Sequence, residues 1–431
     1  MYLWSFSCKL LILQRSDIFS NANSRKIMYV LLFCRMISLR TLFLSHQAQT
    51  SAAPMMLEIV KARGIMLTDY KRKRYMDLIS GIAVSNLGHG YASVNRAIQK
   101  QLRQYTHLMV YGELIQSPQV RLAELLCSQL PSALQSVFYV NSGSEAIEGA
   151  LKLSKRITGR REVVAFSHAY HGSTHGALSI QGDEFFKQAF RPLVPGHRML
   201  QYNHCDDLEQ ITDHTACVVV EPIQGEAGCL PADADWLSAL RKRCTQTGAL
   251  LIFDEVQTGY GRTGTLFSFQ HYGVIPDILV LAKGFGGGLP LGAFISSQAN
   301  MLALTQNPVL GHITTFGGHP LSCSASLQTL KELLFSSYIH DVSEKEQLFR
   351  NELQHSAILS ITGKGLMLAV EFESAALNMR VIERCIQNGI ITDWFLFNDR
   401  KMRITPPLII SKKQIIQACK KIKKSIEEAL C

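Results

Sequence analysis

The chain is 431 residues long, 47% hydrophobic and 18% charged, with a formal net charge of +10. That balance excludes a disordered polymer and allows a large core, ordinarily divided between two or more domains. No apolar run approaches the roughly 20 residues of a membrane span; the longest near the N-terminus, residues 27–34, has 8, so the sequence predicts a soluble protein with no membrane partner.

The first 35 residues carry Lys9, Arg15, Arg25, Lys26 and Arg35 against Asp17 alone, without periodicity. Three readings stay open for them: a transit peptide, a signal, or an extension upstream of a start at Met28 or Met36. The third is preferred, and residues 1–35 are expected to be poorly ordered. Residues 36–47 read as a helix, 65–70 and 74–78 as a small hairpin, and 92–104 as a polar helix. A further helix is expected over 121–130, stopped by Pro131. Residues 137–140 form a strand pattern that runs into Asn141-Ser-Gly-Ser-Glu145, with a helix over 145–157.

Strand patterns follow at 163–166 and near Val218, Ile252 and Leu279, with a helix over 236–247 ended by Gly248. Alternating strands and helices predict a mostly parallel central sheet covered on both faces by helices, an α/β fold. After about residue 325 the pattern changes to helices at 326–335 and 342–355, short strands within 366–372, and a final helix. The expected division is an N-terminal segment 36–85 that contributes to a small domain, a large domain over 86–325, and a C-terminal small α+β domain over 326–431.

In the final helix Ile415, Ile416, Cys419 and Ile422 recur at helical spacing among lysines. Residues 400–424 hold nine Lys or Arg and no acid. Without a nucleic-acid-binding motif this predicts a wet basic face, not a nucleic-acid partner. Eleven cysteines are scattered singly with no Cys-x-x-Cys pair, which argues against a disulfide framework and a structural zinc and predicts the reducing cytoplasm. The 14 histidines show no ligand spacing, so no metal is expected.

Three apolar runs of strand length each end in a polar residue: Cys217-Val-Val-Val-Glu221, Leu251-Ile-Phe-Asp254 and Asp277-Ile-Leu-Val-Leu-Ala-Lys283. Asp254 follows Glu221 by 33 residues and Lys283 follows Asp254 by 29, the length of a unit joining two parallel strands. Ligands of open α/β sheets bind beyond the carboxyl ends of the strands, so the three groups should converge on one rim. A lysine and an aspartate there, with glycines behind the lysine, suit pyridoxal phosphate. That cofactor needs a phosphate cup, a carboxylate at its ring nitrogen, an amine for the Schiff base and cover for its faces.

Gly143 and Ser144, at a helix N-terminus after a buried strand, form the cup, although Asn-Ser-Gly-Ser is also an ordinary capped turn. Asp254 pairs with the ring nitrogen or caps the next element. Val256 packs under the ring and Gln257 bonds its hydroxyl. Lys283 supplies the amine, its pKa lowered by desolvation. Tyr170 is a candidate to stack on the ring, His312 is similarly placed, and Thr314 and Thr315 offer hydroxyl groups to a phosphate. Gly284, Gly286, Gly287 and Gly288 do not open a helix, which excludes a dinucleotide loop.

Glu221-Pro-Ile-Gln-Gly-Glu-Ala-Gly, Phe253-Asp-Glu-Val-Gln-Thr-Gly-Tyr-Gly-Arg-Thr-Gly and Thr314-Thr-Phe-Gly-Gly-His-Pro-Leu, with Lys283 in Leu-Ala-Lys-Gly, carry a resemblance over about residues 50–425. The chain resembles the class III pyridoxal-phosphate-dependent aminotransferases, which include acetylornithine, ornithine and 4-aminobutyrate enzymes. The resemblance implies the fold-type-I, aspartate-aminotransferase-like architecture and a homodimer with active sites between subunits. It implies Lys283 as Schiff-base lysine, Asp254 at the pyridine nitrogen, Gly143 and Ser144 at the phosphate with Thr315 from the other subunit, and Tyr170 on the ring. It also implies a Glu226–Arg403 pair that opens for an acidic substrate and closes for an amine.

The implied activity is transfer of an amino group from an ω-amine or amino acid of acetylornithine or ornithine type to 2-oxoglutarate, by a ping-pong route. The alternatives are another ω-amino acid donor such as 4-aminobutyrate, a decarboxylase or aminomutase of the same family, or a non-enzymatic protein on the same fold. Two departures stand out. Ser173 occupies the position where acetylornithine and ornithine enzymes carry a carboxylate-gripping arginine, and His319 stands where relatives commonly have Asn.

Overall fold

The structure, a computed structural model, describes residues 38–431; the extension expected at 1–35 lies outside the described residues. Among the described residues up to Val60 there is one helix, Leu39–His46, started by the Ser38 hydroxyl accepting from the Thr41 N–H at 3.2 Å. Residues 61–431 form a second compact unit, and everything that follows concerns it.

Its centre is a seven-stranded sheet: β1 (Ser136–Val140), β2 (Glu162–Phe166), β3 (His197–Leu200), β4 (Thr215–Val220), β5 (Leu250–Asp254), β6 (Ile278–Leu281) and β7 (Gly292–Ser296). The spatial order is β1-β7-β6-β5-β4-β2-β3. Neighbours are parallel except where β7 runs antiparallel to β6 and β1. β4 is Thr-Ala-Cys-Val-Val-Val and buried at every position, as a strand covered on both faces must be. Its side chains alternate between two cores. Val218 and Val220 join Leu251, Phe253, Leu279 and Leu281 on one face, while Cys217 and Val219 join Ile252, Ile278 and Val280 on the other. Each such buried side chain contributes about 1.5–3 kcal/mol over an exposed one.

The helix α1 (Gly143–Thr158) covers the second face. It is capped by Ser142 at its start and closed by Gly159 in the left-handed region, φ 69°. The helix Ala234–Thr247 covers the first face with Trp236, Leu237, Leu240 and Cys244, and Gly248 ends it at φ 71°. Both C-terminal glycines follow from the same cause: a residue without Cβ takes the left-handed cap at no steric cost.

The hairpin Met66–Asp69 with Arg74–Asp77 forms as expected, and its second strand pairs in parallel with Ile390–Ile391. A separate antiparallel sheet joins Ser360–Lys364, Met367–Glu371, Asn398–Ile404 and Trp394–Phe395 in that order. The strand Asn398–Ile404 delivers Arg403 towards the large sheet.

Several expected boundaries move. The helix placed at 121–130 runs Ser117–Cys127, because Pro118 sits in its first turn, where the missing N–H costs nothing. The helix placed at 326–335 begins at Pro320, capped by the His319 ring nitrogen, and the one placed at 342–355 ends at Glu352. In the last helix, Lys412–Leu430, Ile415, Cys419 and Ile422 are buried, but Ile416 lies exposed, one residue round from the apolar stripe.

Candidate active site

The parallel order β4-β5-β6 brings the three polar strand ends to one edge. Asp254 closes β5 beside Val280 of β6, Phe253 lies opposite Val220, Glu221 follows β4 directly, and Lys283 follows β6 after Ala282. All three line one cavity of about 430 Å³. Gly143, Ser144, Tyr170, Val256 and Gln257 line it too, together with Asn141, His171 and Leu289.

One end is the start of α1. Ser142 accepts from the Glu145 N–H at 3.2 Å, and the Glu145 carboxylate folds back to accept from the Asn141 N–H and side-chain amide, both at 2.9 Å. The turn is thereby pinned with the first helical N–H groups, Gly143 and Ser144, ahead of the capped one, an arrangement suited to an anion. A Cβ at Gly143 would lie 3.0 Å from both Val256 methyls, and one at Gly172 would lie 2.0 Å from the Ser144 hydroxyl. These two glycines hold the cradle open and close-fitting.

The middle of the cavity is acidic. Asp254 accepts from the Val256 N–H at 3.0 Å and from His171 Nδ1 at 2.7 Å. Burial opposes charging of His171, but the hydrogen bond and charge of Asp254, with the field of Glu221, carry its pKa above the ordinary value. The two side chains thus hold each other in place at the floor of the cavity. Glu221 accepts from the Tyr170 N–H at 3.0 Å and the Gly225 N–H at 2.9 Å, and burial raises its pKa. It fixes the loop that carries Tyr170 and His171. Sequence reasoning missed the role of His171; its place after Tyr170 and before Gly172 was the available signal.

Lys283 begins a single 3-10 turn, Lys283–Gly286, with φ of 51°. Left-handed backbone at a non-glycine residue costs on the order of 1–3 kcal/mol and clusters at functional sites. Burial lowers its amine pKa; the charges of Glu226 and Asp254 oppose that, and Arg403 adds to it. The outcome is an amine more readily unprotonated than a surface lysine.

Above Lys283, Arg403 forks onto Glu226 at 3.0 and 3.1 Å, reaches Asp393 at 2.8 Å and stacks over the Phe395 ring at 4.2 Å. Burial pulls the guanidinium down, but Glu226 and Asp393 hold its pKa above the usual arginine value. The Gln257 amide is drawn into this pair, accepting from Arg403 at 3.3 Å and donating to Glu226 at 3.4 Å.

Of the residues singled out in the sequence, Arg403, His312, Thr314 and Thr315 do not line this cavity, and Thr315 was expected at the other subunit's phosphate. His312, placed beside the ring by the sequence reading, instead packs against Phe138 and Phe294 with ring centroids 5.2 and 5.8 Å away, and meets Lys152 at 3.0 Å. Those partners belong to β1, β7 and α1, so the ring-facing reading is corrected. Thr315 is exposed on this chain's surface, while its neighbour Thr314 accepts from the Asn141 amide at 2.9 Å.

The chain matches the family model described as aminotransferase class-III over residues 47–426, and it belongs to that family. It is 36% identical to the acetylornithine aminotransferase of Archaeoglobus fulgidus over 84% of this chain and 93% of that one. It is also 36% identical to the putrescine aminotransferase of Pectobacterium atrosepticum, over 83% and 79% of the two chains. Among solved structures, the ornithine aminotransferase of Toxoplasma gondii superposes with a TM-score of 0.85 at 27% identity, over 94% of this chain and 99% of that one.

The fold is therefore the fold-type-I α/β architecture, and the protein is a pyridoxal-phosphate-dependent aminotransferase. The cavity fits that cofactor. A helix start free for an anion, a carboxylate paired to a buried histidine and a lysine of lowered pKa face one space, and added Cβ atoms would crowd the phosphate end. Among the described residues no helix is long and apolar enough to cross a membrane, and no cluster of metal-ligating side chains occurs.

Proposed function

We propose that the protein transfers the amino group of an ω-amine or amino acid, of acetylornithine or ornithine type, to a 2-oxo acid, 2-oxoglutarate above all. Lys283, Asp254 and the α1 start facing one cavity carry this reading. The phosphate would rest on the N–H groups of Gly143 and Ser144, the ring nitrogen on Asp254, and the ring between Val256 and Tyr170. When bound, pyridoxal phosphate supplies the electron sink that acidifies the carbon bearing the amine.

The chain's own groups do the rest. Lys283 Nζ moves the proton at that carbon, and its lowered pKa keeps a lone pair available. His171, hydrogen-bonded to Asp254 at 2.7 Å, keeps that carboxylate oriented. Glu226 neutralises Arg403 while an amine is bound, and on leaving it frees the guanidinium for an acceptor carboxylate. Gln257 moves with that pair.

A homodimer with Thr315 reaching the partner's phosphate site is part of the proposal. It is supported by Thr315 facing outward amid exposed Val309, Leu310, Ile313 and Phe316. Free cysteines, among them Cys217, Cys244 and Cys323, fit a cytoplasmic setting. The test is a screen of amine donors against 2-oxoglutarate that reads glutamate formed, with Lys283→Ala as control. Glutamate formation that depends on the donor and on Lys283 is expected; none with any donor ends the reading.

A further inference from the structure

We infer that His319 is a positioning residue for the coenzyme's phosphate: its unprotonated ring caps the helix Pro320–Phe335 and so holds the turn that carries Thr315, and protonation in mild acid releases that turn. The inference rests on the part of the proposed function that brings Thr315 to the other subunit's phosphate.

The turn is fastened at both ends. Thr314 Oγ1 accepts from the Gly317 N–H and from the Asn141 side-chain amide, both at 2.9 Å. Asn141 in turn donates to Glu145 at 2.9 Å, which ties the turn to the start of α1. The two glycines press on β1: a Cβ at Gly317 would lie 2.5 Å from the Tyr139 carbonyl oxygen, and one at Gly318 would lie 2.9 Å from Tyr139 Cβ. The Gly318 carbonyl accepts from the Gln119 amide at 2.7 Å. At the other end His319 Nδ1 accepts from the Leu321 N–H at 3.3 Å.

That last bond depends on protonation. An imidazole nitrogen accepts only while it carries no proton, and the free N–H groups of a helix start repel a cation. The His107 ring is stacked on that of His319, centroids 5.4 Å apart and planes 11° from parallel, and Phe316 lies 4.9 Å from His107. A proton on one imidazole opposes a proton on the other. Burial and His107 hold the His319 pKa below its ordinary 6.5. On the surrounding elements, Tyr139 and Cys323 are kept neutral by burial, and Arg121 pairs with Glu124 at 2.8 Å. Among the described residues, His107 alone acts on His319 by charge.

The cap is therefore intact above pH 6.5, and its stabilisation is lost as pH falls from there through the lower folded value. An asparagine, which relatives commonly carry here, caps a helix without titrating. The hydrogen bond lies within one chain, so a second subunit can shift the pH at which it breaks but not the proton that breaks it.

Coenzyme release from diluted holoenzyme is followed by absorbance at pH about 7.5 and about 5.5, on either side of the histidine range. The ratio of wild type to His319→Asn cancels the titration of the coenzyme itself. That ratio is expected to rise about fivefold at the lower pH, the worth of one helix cap. His319→Ala should release coenzyme fast at both. In the cofactor-free protein, the Tm of wild type should fall below that of His319→Asn over the same interval. Equal pH dependence of wild type and the Asn variant, or an Ala variant as retentive as wild type at the upper pH, overturns the inference and leaves the transaminase reading standing. A Thr315→Ala protein that keeps its coenzyme as wild type does overturns instead the placing of Thr315, on which the inference stands.

Discussion

His171 Nδ1 lies 2.7 Å from Asp254 Oδ2, with both side chains removed from solvent. One Asp254 oxygen accepts from His171 Nδ1 and the other from the Val256 N–H at 3.0 Å, so the carboxylate is held from both sides. The coupling has a measurable consequence on stability. His171 has a folded-state pKa above its ordinary 6.5, so the stability it contributes is complete below about 6.5 and is lost as pH rises through the folded value. Thermal unfolding of the cofactor-free protein should show Tm falling across that window, and His171→Asn should flatten this part of the profile.

Asp254→Asn removes the carboxylate that pairs with His171 and that is proposed to meet the ring nitrogen. Turnover is expected to drop about a hundredfold or more, as for the loss of one preorganised electrostatic partner. Steady-state kinetics at saturating cofactor measure it, and an Asn variant within threefold of wild type would remove Asp254 from its assigned place.

Purified protein should be yellow, absorbing near ~420 nm as lysine-bound pyridoxal phosphate does. Lys283→Ala should abolish both that band and turnover while leaving far-UV circular dichroism unchanged. Lys283→Gly, which removes the Cβ strained by the left-handed φ of 51° at this position, should raise the melting temperature of the cofactor-free protein.

At Gly172 a Cβ would sit 2.0 Å from the Ser144 hydroxyl, on a backbone with φ of 124° that side chains rarely adopt. Gly172→Ala should therefore push Ser144 out of the phosphate cradle. Cofactor affinity is expected to fall at least about tenfold, the worth of one charge-assisted hydrogen bond, as read by fluorescence titration of the cofactor-free protein.

Arg403→Ala leaves Glu226 and Asp393 facing each other without the cation between them. Breaking a buried pair from one side costs about 3–5 kcal/mol, to be read as a lower denaturant midpoint. Glu226→Gln leaves Asp393 to hold Arg403 at 2.8 Å and should cost less.

The sequence by itself determined the strands and their polar ends. Runs such as Cys217-Val-Val-Val carry burial on both faces in their composition, and Glu221, Asp254 and Lys283 follow from where those runs stop. Gly159 and Gly248 ended their helices for a reason local to each residue. Tertiary structure alone decided which side chains meet. His171 and Asp254 stand 83 residues apart, and Glu226 and Arg403 stand 177 apart; each pair exists because β4, β5 and β6 lie side by side and a strand of the second sheet reaches over them. The same geometry withdrew Gln257 into the Glu226–Arg403 pair and turned His312 towards Phe138 and Phe294. Apolar periodicity reports whether a residue is covered. It carries no information on which distant element does the covering, because that depends on strand order and on the direction of each side chain in the assembled sheet.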